Sequence, residues 1–192
     1  LYGEAMTHIL GYVGRINDRD VERLKKEEKF ANYSGSTDMG KLGIERYYEE
    51  QLHGTTGFEE VEINNRGKVI RKLREQPATA GKSIHLTIDF TLQRYIMSLL
   101  SGQKGAVVVL DPKDNSVLAM VSTPSYDNNL FVDGISSSDY KRLLEDPTRP
   151  LYSRATQGVY PPASTVKPFV AVAALTEGVI TPNTTIFDPG YW

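Results

Sequence analysis

The chain has 192 residues, of which 40% are hydrophobic and 24% charged, and its formal net charge is −2 at pH 7. Such a chain can bury at least one hydrophobic core and is long enough for two modules. A weakly acidic chain without a basic stripe gives no reason to expect nucleic acid as a partner. The absence of cysteine excludes disulfides and thiolate metal sites, and no apolar run approaches the length of a membrane span.

The first part of the chain is punctuated by glycines and predicts an irregular α+β module over residues 1–80. The predicted elements are helices over 20–30 and 44–52 and extended segments over 59–64 and 68–73. The small and polar stretch 77–81 is typical of a linker. We therefore place a domain boundary after residue 80, which leaves residues 81–192 as a second module.

The second module begins with alternating apolar and polar residues over 83–88, which predict a strand, and a helix then starts at Asp89 or Thr91. Apolar runs over 105–110 and 116–122, joined by an Asp-Pro turn, predict a β-hairpin. Because both runs are continuously apolar, we expect these strands at the centre of a sheet that helices cover.

Three serine–lysine pairs have the Ser-x-x-Lys spacing, in which side chains one helical turn apart can act as nucleophile and base. The pairs are Ser101/Lys104, Ser138/Lys141 and Ser164/Lys167. About one such match is expected by chance in a chain with 13 serines and 11 lysines, so the spacing alone is a weak signal. The first pair lies beside two glycines in a predicted turn, and the second lies on a short charged helix. Neither of these two pairs is expected to be catalytic.

The third pair differs in its surroundings, because apolar residues cover most of the predicted helix that follows Ser164, and Gly178 is placed to end it. Such a helix is expected to be buried in a core and to pack on the predicted sheet. Proline is tolerated only near a helix start, so Pro168 places that start close to Ser164, where free N–H groups and the helix dipole favour negative charge. An apolar environment would leave the Lys167 amine neutral more often. The alternative, which is the commoner outcome for such pairs, is an N-cap serine beside a lysine that reaches the solvent.

The three histidines, His8, His53 and His85, have no partner at metal-ligand spacing. Each is expected to be a structural or surface residue, and His85 is expected to be buried in the middle of the strand over 83–88. The sequence therefore predicts no metal site.

Several separate motifs, in order along the whole chain, resemble those of the class B penicillin-binding proteins, and in particular the penicillin-binding protein 2 group of the rod-elongation machinery. The motifs are GKLGIERYY (40–48), LHGTTG (52–57), NRG (65–67), LTIDFTLQ (86–93) and RATQGVYPPASTVKPF (154–169). The last of these resembles the transpeptidase motif that contains the nucleophile. The first two resemble the Gly-x-x-Gly-x-Glu signature of the family's non-catalytic pedestal.

The resemblance implies an α+β pedestal module of the dimerisation type, itself incomplete, followed by the N-terminal part of a penicilloyl-serine transferase α/β domain of the β-lactamase and transpeptidase kind. It also implies that residues 126–134 form a connection on the domain surface. The implied activity is a peptidoglycan D,D-transpeptidase, with Ser164 as nucleophile, Lys167 as general base and the backbone N–H of Ser164 as one oxyanion donor.

The same resemblance implies that the partners are peptidoglycan stem peptides, β-lactams and membrane proteins of the elongation machinery, among them a glycosyltransferase and regulators. The chemistry requires no cofactor and no metal. The implied location is the periplasmic face of the bacterial inner membrane, where an N-terminal helix that this sequence does not contain would anchor the protein.

Two features depart from the family pattern. Ala163 stands where a glycine is expected in many members, and this exchange of small residues is not expected to disturb the turn. The chain contains no Lys-Thr-Gly, the family's third motif, so we expect these 192 residues on their own to acylate slowly or not at all. Two alternatives stay open: a D-alanyl-D-alanine carboxypeptidase or serine β-lactamase of the same fold, and a non-catalytic pedestal that binds elongation partners.

Overall fold

The computed structural model of the chain describes residues 2–190. They form two compact units, the first ending at Gln157 and the second beginning at Gly158. The predicted boundary after residue 80 lies inside the first unit and stays a prediction. Every helix in this described part of the chain is too short or too polar to cross a membrane.

The N-terminal half of the first unit is built from short helices and strands. Its elements are α1 (Thr7–Leu10), β1 (Val13–Arg15), α2 (Asp18–Lys26), α3 (Phe30–Tyr33), β2 (Asp38–Gly40), α4 (Gly43–Tyr47), α5 (Glu49–His53), β3 (Phe58–Ile63) and β4 (Val69–Gln76), with a 3₁₀ helix at Gly3–Ala5. Strand β1 pairs antiparallel with β2, and β3 pairs antiparallel with β4.

The helix predicted over 20–30 is present as two helices, α2 and α3. Between them Glu28 has a φ of 58°, a left-handed conformation through which a right-handed helix does not continue. Asn17 and Asp20 form a capping box at the start of α2, in which each side chain accepts the backbone N–H of the other residue. The core beneath these helices consists of Leu24, Tyr33 and Met39, with the partly buried Ile16 packed against it.

The other helix and the two extended segments predicted within residues 1–80 are confirmed. The helix predicted over 44–52 is present as α4 and α5, and the two extended segments are the strands β3 and β4. All eight residues of β4 are exposed, so this hairpin is held together by its own ladder.

The C-terminal half of the first unit contains a helix, a hairpin and two further helices. Its elements are α6 (Phe90–Leu99), β5 (Gly105–Leu110), β6 (Val117–Thr123), α7 (Ser137–Glu145) and α8 (Arg154–Gln157), with a 3₁₀ helix at Asn128–Phe131. The predicted start of α6 is confirmed, because the Asp89 side chain accepts the N–H groups of Thr91 and Leu92, at 2.8 and 3.0 Å.

The strand predicted over 83–88 is wrong. Side-chain burial does alternate along this segment, and His85 is exposed rather than buried. The backbone forms no ladder there, and contact with β6 begins only where Thr87 Oγ1 donates to the carbonyl of Val117, at 2.7 Å. The alternation of apolar and polar residues over 83–88 therefore predicted correctly which side chains face inwards, but the segment is an extended connection and not a strand.

The predicted hairpin of β5 and β6 is confirmed, but neither strand has a second neighbouring strand among the described residues, and β6 is the more deeply buried of the two. Ala119 and Val121 of β6 are 0% and 2% exposed and pack with Ile96 of α6. Strand β5 alternates instead, with Val108 and Leu110 about half exposed. In the described residues the sheet has these two strands and one face covered by α6.

The stretch 126–134, expected to be a surface connection, contains two buried aromatic residues. Tyr126 and Phe131 are 3% and 8% exposed. The Phe131 ring stacks on Tyr12 with a centroid distance of 4.2 Å, and Tyr126 meets the His8 ring edge to face at 5.6 Å. Residues 2–12, called the strap below, therefore pack against the loop that follows β6.

Candidate active site

The regular secondary structure of the second unit begins at the Ser164 segment. Residues Ala163–Val166 form a 3₁₀ helix, and α9 (Lys167–Thr176) follows it directly. Pro168 lies in the first turn of α9, and Gly178 follows its end with a φ of 69°. The predicted start near Ser164 and the predicted glycine stop are both confirmed.

Ala163 occupies a backbone position that favours glycine. Its φ is 46°, in the left-handed region that costs an L-residue about 1–2 kcal/mol. The turn forms with alanine, as expected, but the residue directly before Ser164 is strained.

Ser164 and Lys167 lie one helical turn apart, and both are exposed. The expectation that this helix is buried is wrong for the structure, because Phe169 and Val172 of α9 are 75% and 62% exposed. The apolar surroundings expected around the lysine are absent for the same reason. No hydrogen bond between described residues involves Ser164 Oγ or Lys167 Nζ.

The backbone N–H of Ser164 donates to no described atom, whereas the next N–H, that of Thr165, is bonded to the carbonyl of Pro162 at 3.1 Å. A free N–H beside a serine hydroxyl is the group that an oxyanion site needs. The segment thus presents a hydroxyl, an amine and a free donor within one turn.

The other two serine–lysine pairs lie where the sequence predicted. Ser101 is in an exposed turn, and Lys104 Nζ donates to the carbonyl of Pro147 at 3.2 Å. Ser138 lies in the first turn of α7, and the exposed Lys141 is 3.8 Å from the carboxylate of Glu145. These contacts are typical of surface residues.

Sequence reasoning missed how α8, the last helix of the first unit, is held in place. Arg154 is 9% exposed, and its backbone N–H donates to Ser122 Oγ at 2.8 Å. Its guanidinium donates to the carbonyls of Thr148 and Arg149, at 2.5 and 3.3 Å. The arginine thus fixes α8 to β6 just before Gly158. The partners of Arg154 are a hydroxyl group and backbone carbonyls, which no sequence pattern identifies, so this role could not be predicted.

His53 and Ser36 form a serine–histidine pair, which is structural. Its Nε2 lies 2.8 Å from Ser36 Oγ, and its Nδ1 lies 3.4 Å from Asn32 Nδ2. The Asn32 amide is oriented by its bonds to Gly54 and Thr56, so Nδ2 is the donor towards the ring. Nδ1 therefore accepts, Nε2 carries the proton, and Ser36 is not activated by a base. No group of His, Asp and Glu in residues 2–190 could hold a metal ion.

Comparison with known proteins gives the class of this protein. The Penicillin-binding Protein dimerisation domain matches residues 1–86, and the Penicillin binding protein transpeptidase domain matches residues 105–192. The chain belongs to the penicillin-binding proteins and consists of a dimerisation domain, the pedestal, followed by the start of a transpeptidase domain.

Among individual proteins, the chain is similar over its whole length to peptidoglycan D,D-transpeptidases named MrdA. The chain is 83% identical over 192 residues to the peptidoglycan D,D-transpeptidase MrdA of Haemophilus influenzae and 67% identical over 191 residues to MrdA of Escherichia coli K12. All of this chain is aligned in both cases, and it spans 30% of the length of each relative.

Solved structures of penicillin-binding protein 2 agree with this result. PBP2 of Pseudomonas aeruginosa in complex with WCK 5153 is 46% identical with a TM-score of 0.84, over 99% of this chain and 37% of that one. The complex between PBP2 and MreC from Helicobacter pylori gives 31% identity and a TM-score of 0.83, over 96% of this chain and 33% of that one.

Proposed function

We propose that the protein is a peptidoglycan D,D-transpeptidase whose nucleophile is Ser164. The similarity of the whole chain to peptidoglycan D,D-transpeptidases carries this proposal. The placement of Ser164 and Lys167 at the start of α9 supports it, since the other two serine–lysine pairs have surface positions with ordinary partners.

In the proposed reaction, Lys167 accepts the proton of Ser164 Oγ as the oxygen attacks the carbonyl of the penultimate D-alanine of a stem peptide. The negative charge that develops on the carbonyl oxygen is stabilised by the backbone N–H of Ser164. The bond to the terminal D-alanine breaks, that D-alanine leaves with the proton, and an ester at Ser164 is formed. An amine of a second stem peptide then attacks the ester and releases the serine.

A β-lactam is proposed to acylate the same serine, because its strained amide occupies the place of the D-alanyl-D-alanine bond. Both Ser164 and Lys167 are exposed, so the described residues do not supply the desolvation that fast acylation needs. We therefore expect slow acylation from the 192 residues themselves and normal acylation when they form part of a complete transpeptidase domain.

A hybrid protein tests the proposal directly. This chain would replace the matching 30% of the Haemophilus influenzae relative, and the hybrid would be incubated with a fluorescent penicillin and analysed by intact mass. We expect one adduct, lost in Ser164→Ala and retained in Ser138→Ala and Ser101→Ala. An adduct that survives Ser164→Ala would refute the assignment of the nucleophile.

Product analysis separates transpeptidation from hydrolysis by the same fold. With a stem-peptide substrate, the hybrid is expected to give cross-linked dimers together with released D-alanine. D-alanine without dimers, when acceptor peptide is present, would favour a carboxypeptidase instead.

A binding function of the pedestal is a second proposal, supported by the Helicobacter pylori complex with MreC, whose PBP2 aligns with 96% of this chain. We propose that this protein binds an MreC-type elongation protein on the periplasmic side of the inner membrane. Surface-immobilised chain should bind purified MreC reversibly, and serum albumin should not bind. The absence of saturable MreC binding to folded chain would contradict the proposal.

A further inference from the structure

The strap, residues 2–12, is held by three side chains from α6 and from the loop that follows β6. Gln93 Nε2 donates to the carbonyl of Ala5 at 2.7 Å, and Ser125 Oγ donates to that of Glu4 at 2.8 Å. Further along, Asn128 Nδ2 donates to the carbonyl of Gly11 at 2.7 Å. The strap is therefore a contact between the pedestal part of the chain and the β5–β6 layer.

His8 lies in the middle of this contact. Its ring meets Tyr126 edge to face, and the neighbouring Thr7 Oγ1 donates to the Tyr126 carbonyl at 2.8 Å. His8 Nε2 is buried and has no hydrogen-bond partner among the described residues. A buried imidazole nitrogen without a partner is costly, and adding a charge to that ring would raise the cost further.

The groups that face His8 favour the neutral ring. Burial lowers the pKa of His8, and the positive guanidinium of Arg154 in α8 lowers it further. The backbone carbonyls of Pro124 and Pro150 act in the opposite direction, but they do not outweigh burial. Burial also raises the pKa of Tyr126 to about 12, so the ring against His8 stays a neutral phenol and supplies no counter-charge.

We propose that the strap is a pH-sensitive contact, in which protonation of His8 detaches residues 2–12 from the loop that follows β6. Detachment places the charged ring in water, away from Arg154, and frees the pedestal part of the chain from the β5–β6 layer at this contact. The proposal goes beyond the proposed enzymatic function and does not depend on it.

The sign and size of the effect follow from linkage. A depressed pKa in the attached state means that the detached state binds the proton more tightly, so attachment is strongest above pH 6.5 and weakens as the pH falls. With a detached pKa of about 6.5, lowering the pH from 7.5 to 5.5 favours detachment by up to about tenfold.

Amide hydrogen exchange of the 192-residue chain tests this expectation. Protection factors, which correct for the intrinsic pH dependence of exchange, would be measured at pH 7.5, 6.5 and 5.5 for Leu10 and Gly11, whose N–H groups are bonded within the strap. They are expected to fall by up to about tenfold, while the protection of Val21 in α2 stays constant. The fall should be absent in His8→Gln and unchanged in His85→Gln, which alters an exposed histidine.

A second measurement needs no folded variant at position 8. The imidazole resonances of the three histidines can be assigned with His53→Gln and His85→Gln, and His8 is then identified by elimination. Its titration midpoint in the wild-type chain is expected below 6.5. A midpoint at or above 6.5, or a pH-dependent loss of strap protection that persists in His8→Gln, would overturn the proposal.

Discussion

Gln93 is the residue whose replacement tests the packing of the first unit most sharply. It is 0% exposed, and its amide satisfies three backbone groups: the carbonyls of Ala5 and Met120, at 2.7 and 2.8 Å, and the N–H of Met120, at 2.8 Å. Because it pairs with both backbone groups of Met120, the side chain takes the place of a further strand beside β6. It also holds the strap to that strand.

Replacing Gln93 by leucine keeps most of the volume and removes all three hydrogen bonds. Each buried group left without a partner costs about 1–3 kcal/mol, so even the lower figure gives a loss of about 3 kcal/mol in the free energy of unfolding. That loss is a large part of the 5–15 kcal/mol typical of a domain. Urea unfolding followed by circular dichroism would measure it, with Gln103→Leu as an exposed control expected to change stability by less than about 0.5 kcal/mol.

Gln93→Glu adds a pH signature to the same experiment. The introduced carboxyl can still accept the Met120 N–H, but its second oxygen faces two carbonyl oxygens, which raises its pKa. Relative to wild type, this variant should therefore be less stable at pH 7.5 than at pH 5, whereas Gln103→Glu should show little change. A loss below about 1 kcal/mol in Gln93→Leu, with an unchanged m-value, would refute the argument that these bonds are buried and unreplaced.

Further predictions concern the backbone and one carboxylate. Ala163→Gly should relieve the strain of the left-handed conformation, although the added glycine also makes the unfolded chain more flexible, which offsets part of the gain. The net stabilisation of the turn should be about 0.5 kcal/mol and should slow proteolysis of the second unit. Faster cleavage would contradict this prediction. Gly81→Ala would place a Cβ 1.8 Å from a backbone oxygen, whereas the Cβ of Gly67→Ala would meet nothing within 4 Å and this control should cost about 1 kcal/mol. The melting temperature of Gly81→Ala should therefore be much lower than that of Gly67→Ala. Equal melting temperatures for the two variants would show the reasoning to be wrong. Burial acts to raise the pKa of Asp20, but the hydrogen bonds with Lys41 and Asn17 and the positive charges of Lys41 and Arg23 together outweigh burial, and the pKa is lowered. The stabilisation that ionised Asp20 provides is therefore present at neutral pH and is lost as the pH falls below 3.8. Asp20→Asn lacks this titrating group, so its stability should fall less steeply with pH in that range. An acid transition identical to that of the wild type would argue against a stabilising contact between Asp20 and Lys41.

The parts of the fold that follow local rules could be predicted from the sequence. The hairpin of β5 and β6 was predictable from two apolar runs around a turn, and the start of α6 from the capping residue Asp89. The position of α9 followed from Pro168 and Gly178, because backbone chemistry fixes helix ends without reference to the rest of the chain.

Other features depend on contacts between distant residues and could not be predicted in this way. The burial of Tyr126 requires the strap, since the hydrogen bond that fixes its carbonyl comes from Thr7, 119 positions earlier. The segment 83–88 has the correct alternation but no neighbouring strand. The apolar sequence of α9 predicts that the helix can be buried, but Phe169 is exposed. Burial also requires a surface for the helix to pack against, and the sequence of the helix does not specify one. The roles of Ser164 and Lys167 stay predictions for the same reason.

The manner in which the strap is held has an evolutionary consequence. Gln93, Ser125 and Asn128 bind its main-chain carbonyls, so the side chains at positions 4 and 5 are free to drift without loss of the contact. Gly11 is the exception, because its φ is 77° and a Cβ there would lie 1.9 Å from the carbonyl oxygen of Leu42. Natural variation in the strap should thus be wide at its start and confined to glycine at position 11, while the three donors that hold it change rarely.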